Sequence, residues 1–416
     1  MNRKSVLGIA AMAVVAALAP GCSASPADGD GTTLTFAMWD ESQRPTYEKM
    51  FDLFTQENPD IEVKIELTPW DNYWTKLQTA ASGGEVADVF WMNGANFPLY
   101  ASEQVIQPLT DQTAADSSAP EGLIELYTWD SELYTLPSNF DTIAVWYNKA
   151  IFDAADIDYP TPEWTWEDYR RIAAELTNTA AGIWGTAAQL SEHTAFYNTI
   201  YQAGGFAVGA DGTTSGYDLP ETENGLQFWV DLLEDGSSPT LAQMADTDVV
   251  DLFTSGKLAM LWGGSWNSLS FSESELGATG SIGVASLPYG PESNAAVIHG
   301  LGNVISATTE HADAANKLVA FLASQEAAEV YAENGVGFTV DDTANEALIA
   351  TYADAFDLTP FSEAAATGIA FPRSVHSQVW MDAQINELTP VWELSETVHD
   401  GALALHEAVQ AALDDE

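Results

Sequence analysis

The chain has 416 residues, 46% of them apolar and 18% charged, which is enough for two domain-sized cores and excludes wholesale disorder. Twelve Lys and Arg stand against 62 Asp and Glu, a formal net charge of −50 that repels phosphate backbones and excludes nucleic-acid binding. A single cysteine, Cys22, excludes an intrachain disulfide and any cysteine-built metal site.

The chain begins with a basic head, Arg3 and Lys4, followed by the apolar run Val6–Leu18 and small residues, which is the order of a secretory signal. The run is too short to span a bilayer as a helix. Ala19-Pro20-Gly21-Cys22 resembles the lipobox of bacterial lipoproteins, although Ala19 and Pro20 are not the favoured residues there. That resemblance implies a signal peptide over 1–21 and a mature chain anchored to the membrane by lipid on Cys22. A plain signal with an incidental cysteine is the alternative. Residues 22–33 are small, polar and Gly/Asp-rich and read as a flexible tether; Asp28 and Asp30 fall short of a calcium loop.

Leu34, Phe36 and Met38 alternate as a strand. Tyr47, Met50, Phe51 and Phe54 then recur at helical spacing, and Asn58-Pro59 ends that helix. Ile61, Val63, Ile65 and Leu67 alternate again. A second helix over 71–81 stops at Gly83-Gly84, and a third strand runs over 86–92. The β-α-β-α-β order predicts a parallel sheet flanked by helices, with ligands beyond the carboxyl ends of its strands. Trp39 and Trp91 sit at two of those ends and Trp70 in the loop after the second strand, so three indoles are expected at one crevice. A second α/β unit opens at 143–147. Its first helix starts at Thr165-Trp166-Glu167-Asp168, a capping-box pattern, with Tyr169, Ile172, Ala173 and Leu176 on its apolar face. Further strands are expected at 258–261 and 281–284, and helices over 310–334 and 398–413.

The six histidines lack metal-ligand spacing, and no metal or cofactor is expected. Gly263-Gly264-Ser265-Trp266-Asn267 misses the last glycine of a nucleophile elbow, and Gly300-Leu301-Gly302 misses the third glycine of a dinucleotide loop. Among the 62 carboxylates no glycosidase-like pair stands out. Tryptophan does: there are 14, many beside Gly, Asn, Asp or Pro. A flat indole suits the apolar face of a pyranose while neighbouring carboxylates and amides bond its hydroxyls. Arg373, one of few cations, has three readings: a ligand contact, a bridge between lobes, or a local counter-charge.

Several passages in order resemble the extracellular solute-binding proteins of ABC-type carbohydrate importers, the group that includes maltose-binding protein. They are LTFAMW (34–39), TPWDNYWTKLQTAASGG (68–84), DVFWMN (88–93), LPSNFDTIAVWYNKAIF (136–152), TWEDY (165–169), GKLAMLWGGSW (256–266), HGLGNVISA (299–307) and FPRS (371–374). The resemblance implies a two-lobed α/β fold, each lobe a mainly parallel sheet flanked by helices, with three hinge crossings near 139–142, 299–302 and 335–340. The lobes would be 34–140 with 301–336, and 141–300 with 337–416. It places Trp39, Glu41 and Arg44 in the first ligand loop, Trp91 and Asn93 after the third strand, and Asp141 at the hinge. It also makes Trp266 the stacking aromatic with Trp262 beside it, and puts Arg373 and Trp380 in the last contacting region. Gly94-Ala95 stand where the maltose binder has an acidic-basic pair, which argues against maltodextrin as the ligand.

The expected activity is non-catalytic: an exported, membrane-anchored monomer that captures a mono- or oligosaccharide and delivers it to an ABC permease. Trp39, Trp70, Trp91, Trp262 and Trp266 would stack, and Glu41, Asn93, Asp141 and Arg373 would hydrogen-bond. Two alternatives are a secreted carbohydrate hydrolase and the same fold binding a polyamine or peptide.

Overall fold

The computed structural model describes residues 31–111, 119, 121–210 and 212–416. The expectations for the signal peptide, for Cys22 and for the tether up to residue 30 lie outside the described residues.

The alternation of Leu34, Phe36 and Met38 makes strand β1 (Thr32–Met38), in which those three side chains are fully buried. The strand starts two residues inside the expected tether, because the β-branched Thr32 and Thr33 pair with Ile61 and Glu62. Helix α1 (Arg44–Glu57) turns Tyr47, Met50, Phe51 and Phe54 inward. Asn58 ends it, its side-chain amide donating to the Phe54 carbonyl at 3.0 Å. Strand β2 (Ile61–Leu67) follows, then helix α2 (Trp70–Gly83), which stops where Gly84 takes a left-handed φ of 69°. Strand β3 (Val89–Asn93) is buried through Met92.

These strands form a sheet in the order β2-β1-β3, parallel as expected. The strand Leu301–Ser306 then pairs antiparallel with β3, and Ile106–Gln107 antiparallel with it in turn. The run expected as one helix over 310–334 is two, Ala312–Leu322 and Gln325–Glu333. Ser324 separates them: its hydroxyl accepts from the Ala327 amide and starts a new helix.

The second sheet has Ile143–Asn148 at its centre, flanked by Ile282–Ala285 and Met260–Gly264. Both pairings are antiparallel, which corrects the expectation of a mainly parallel sheet in each lobe. Periodicity reports which face of a strand is buried and carries no information about the direction of a neighbour joined through a long connection. Around this sheet pack Trp166–Leu176, whose Thr165–Asp168 capping box is complete, and the helices Pro220–Glu234, Ser377–Trp392 and Val398–Asp414. Two buried polar side chains bond across this layer: the Gln384 amide donates to the hydroxyls of Tyr197 and Tyr217 at 2.7 Å, and Trp392 Nε1 donates to the Ala188 carbonyl.

Three passages of chain lie side by side between the two sheets. Asp141 and His299 exchange backbone bonds of 2.7 and 3.1 Å. Asn139–Phe140 pairs with Phe338–Thr339, where Phe140 and Phe338 stack at 5.5 Å. Asn139 Oδ1 accepts from the Leu301 amide at 3.0 Å. Beyond the third passage, Asp342–Tyr352 packs on Gln325–Glu333, while Phe356 and Phe361 set their rings 5.0 and 5.2 Å from Trp146 of the second sheet. This segment therefore touches both a helix packed beside the first sheet and the central strand of the second.

Candidate functional site

The carboxyl end of β1 delivers Trp39 and Asp40 to the gap between the sheets, the end of β3 delivers Asn93, and the first turn of α2 delivers Trp70. From the opposite side, the strand Met260–Gly264 runs into a tight turn, Ser265–Asn267, that projects Trp266. The chain passages contribute Asp141, His299, Gly300 and Leu301. A π-helical turn, Glu192–Phe196, adds Glu192 and His193, and Phe371 and Met381 complete the wall. Together these residues line a cavity of about 310 Å³. Its position at the strand ends is the one open α/β sheets favour for ligands.

The aromatic walls are built in layers. Trp39 meets Trp70 edge to face at 5.2 Å and is backed by Tyr73 at 5.0 Å and Trp91 at 4.8 Å. Trp70 keeps 47% of its surface exposed, so its ring is available to a ligand. On the other side, Trp266 lies 5.4 Å from the His299 ring and 5.7 Å from His193. Its direction depends on Gly264, where a Cβ would stand 1.9 Å from Cζ3 of the indole.

The polar lining is unevenly satisfied. Burial pushes the Asp141 carboxyl up to about 6, against the opposing pull of a hydrogen bond from Ser265 Oγ at 2.7 Å and of His193. Burial also acts to raise Glu192, but His193, whose Nδ1 is 3.4 Å from its carboxylate, together with a backbone hydrogen bond and the His299 ring, outweighs that and holds it below the usual range. Burial, aided by His193, drives His299 down to about 3, so the ring is neutral, and its Nε2 is shielded from solvent without a partner. The π-turn is held by Asn198, whose amide donates to the carbonyls of His193 (2.9 Å) and Ala195 (3.3 Å) while Oδ1 accepts from the Val297 amide. Asp40 is locally tied, accepting from the Ser42 amide and hydroxyl and from Gln43 Nε2. Among the described residues no group of three or more His, Cys, Asp or Glu is arranged to hold a metal ion, and no helix is long and apolar enough to cross a membrane.

Of the residues singled out from sequence, Trp39, Trp70, Asn93, Asp141 and Trp266 come together at the cavity. Trp91, Trp262 and Trp380 do not, and the expectation that they meet the ligand is corrected: all three are fully buried. Trp91 lies inside β3 behind Trp39. Trp262 lies inside its strand, 4.9 Å from Trp229 and 5.9 Å from Tyr169. Trp380 faces inward on its helix and donates to Ser374 Oγ at 2.8 Å. Glu41 is exposed off the cavity, and Arg44 pairs with Glu48 at 2.8 Å on the outer face of α1. Arg373 also stays off the cavity. Its guanidinium donates to the carbonyls of Leu126 (2.7 Å) and Glu125 (2.6 Å) and stands 5.8 Å above the Phe97 ring. It ties its segment to the helix Glu121–Leu126.

Asp40, Gln43, Glu192, His193, Phe371 and Met381 line the cavity without having been singled out. His299 was a weak signal, since it opens the HGLG passage expected at a crossing. Glu192 and His193 carried none, because a π-turn has no periodicity to read.

The family model described as bacterial extracellular solute-binding protein matches residues 40–329, well over half of the chain. A binding protein of Brucella abortus (strain 2308) is 26% identical over 274 residues, 64% of this chain; the match spans 66% of that relative's length, just under two thirds. The maltodextrin-binding protein MdxE of Bacillus subtilis is 25% identical over 327 residues, 75% of each chain. An ABC substrate-binding protein from Listeria monocytogenes, solved in complex with cycloalternan, shares the fold with a TM-score of 0.84. It is 23% identical and covers 92% of this chain and 100% of its own.

Proposed function

The chain belongs to the bacterial extracellular solute-binding protein family, and from that premise we propose that it captures a mono- or oligosaccharide in the cavity between its lobes and delivers it to an ABC-type sugar permease. The observation that carries this reading is that indoles from both sides, Trp39 and Trp70 on one and Trp266 on the other, line a single cavity. The pyranose faces lie on these rings, and Asn93, Asp141 and Glu192 bond the hydroxyls. Trp91 acts only as the backing of Trp39. Glu41 and Arg44 stand outside the contact.

The lobes are 34–140 with 301–336, and 141–300 with 337–416. Closure about the adjacent passages at 139–142, 299–302 and 335–340 brings Trp266 toward Trp39 and buries the sugar. The ligand shifts the population toward the closed form by contacting both walls only there. That form docks on the permease. The mature protein works as a monomer outside the cell, held to the membrane by lipid on Cys22, and does not alter its ligand.

A thermal-shift screen against mono- and oligosaccharides tests the reading. A cognate sugar at 100 times its Kd raises stability by about 2.7 kcal/mol. No shift with any sugar overturns the carbohydrate reading, and cleaved oligosaccharide in the incubation overturns the receptor in favour of a hydrolase.

A further inference from the structure

The cavity is one-sided in charge. Asp40, Asp141 and Glu192 line it, His193 stands 3.4 Å from Glu192, and among the described residues no Lys or Arg lines it. The two nearby guanidinium groups are committed elsewhere, Arg373 to backbone carbonyls and Arg44 to Glu48. The hydrogen-bond balance leans the same way, because carboxylates only accept. Gln43 Nε2 is already given to Asp40. Asp141 Oδ1 takes the Ser265 hydroxyl, and Oδ2 has no partner among the described residues. His299 Nε2 is a second observation of a different kind: a shielded nitrogen of a cavity-lining ring, with no partner among the described residues, that donates or accepts according to its tautomer. Asn93 Nδ2, whose own Oδ1 is taken by Asn96, is a donor on the wall, but the three carboxylates call for a ligand group with several donors. The cavity walls are indole faces, whose negative quadrupole attracts a cation as the carboxylates do.

We propose that the carbohydrate bound here carries a protonated amine, an amino sugar whose ammonium group sits toward Asp141 and Glu192 while its ring faces lie on Trp39, Trp70 and Trp266. The proposal rests on the carbohydrate reading of the cavity and narrows it. A neutral sugar occupies the same indoles but leaves the Asp141 charge uncompensated. An N-acetyl group removes the charge and two of the three donors. A phosphorylated or uronic sugar sets like charge against three carboxylates. The net charge of −50 draws cations toward the whole molecule, which favours the same class on approach.

Isothermal titration of the full chain at pH 7 with matched pairs tests this: glucosamine against glucose, galactosamine against galactose, and the free-amine disaccharide of glucosamine against cellobiose, each with its N-acetyl derivative. In at least one pair the amine member should bind tenfold or more tighter than both neutral members, and the advantage should shrink as NaCl is raised from 50 to 500 mM. Asp141→Asn should erase most of the difference within the pair. Equal or tighter binding of the neutral member overturns the amine proposal and leaves the carbohydrate reading standing. A preference that survives in both Asp141→Asn and Glu192→Gln overturns the assigned seat. Binding of putrescine or choline with no sugar bound overturns the carbohydrate reading itself, and this proposal with it.

Discussion

Replacing Asp141 by Asn isolates the cost of holding an ionised carboxylate in the cavity wall. Burial raises this group from 3.8 to about 6. At about 1.36 kcal/mol per pH unit, the ionised form costs the folded chain about 3 kcal/mol at neutral pH. The folded state binds this proton more tightly than the unfolded chain, so stability falls as pH rises from about 4 to about 6 and the penalty is complete above that. Asn keeps an oxygen to accept the Ser265 hydroxyl and carries no charge. Asp141→Asn should therefore be more stable than the parent by about 3 kcal/mol at pH 7.5 and by roughly half of that at pH 5. With about 2.1 cal/mol/K per residue over roughly 390 residues, the gain at pH 7.5 corresponds to about 4 °C in Tm. Urea midpoints and scanning calorimetry at the two pH values measure it, and ligand affinity should fall in the same variant. A variant less stable than the parent at pH 7.5, or one whose gain does not change between pH 5 and 7.5, refutes the reasoning.

His299 has the opposite sign. Burial lowers it to about 3, so the unfolded chain takes its proton first and stability drains as pH falls from 6.5. His299→Gln should lose about 2 kcal/mol less than the parent between pH 7.5 and 5, read from urea midpoints. Gly264→Ala should weaken ligand binding at least tenfold in a folded protein, measured by titration calorimetry, because the new Cβ displaces the Trp266 ring. Arg373→Ala removes two charge-assisted bonds to the helix Glu121–Leu126. It should lower the urea stability by about 3 kcal/mol and enlarge the ligand-free radius of gyration in small-angle scattering.

The three parallel strands of the first sheet were legible in sequence because most apolar residues from Leu34 to Leu67 alternate or recur at helical spacing, and Leu34, Phe36, Met38, Tyr47, Met50, Phe51, Phe54 and Ile61 are buried. Strand direction in the second sheet was not legible, since it is set by contacts between segments more than a hundred residues apart. The tryptophans divide by where they sit relative to a strand end. Trp39 follows the last residue of β1, and Trp266 lies in the turn after Gly264, so both project into the gap. Trp91 and Trp262 stand within strands covered on both faces and became core. Residue type alone marks affinity for apolar surface and does not say whether a core or a sugar supplies it. Glu192 and His193 escaped because the π-turn that presents them depends on Asn198 and Val297, which only the tertiary fold brings together.

Trp262 and Trp266 are four residues apart on one strand and its turn, one in the core and one on the cavity wall, so their substitution tests the account most directly. The measurement is calorimetric titration of Trp266→Ala and Trp262→Phe with the sugar identified by the thermal-shift screen. Trp266→Ala should lose about 2 kcal/mol of binding, roughly 30-fold in Kd, with its urea midpoint unchanged. Trp262→Phe should be destabilised by about 1–3 kcal/mol and keep its Kd within threefold. Loss of affinity in folded Trp262→Phe, with Trp266→Ala binding as the parent does, would contradict a ligand gripped by indoles from both sides of one cavity.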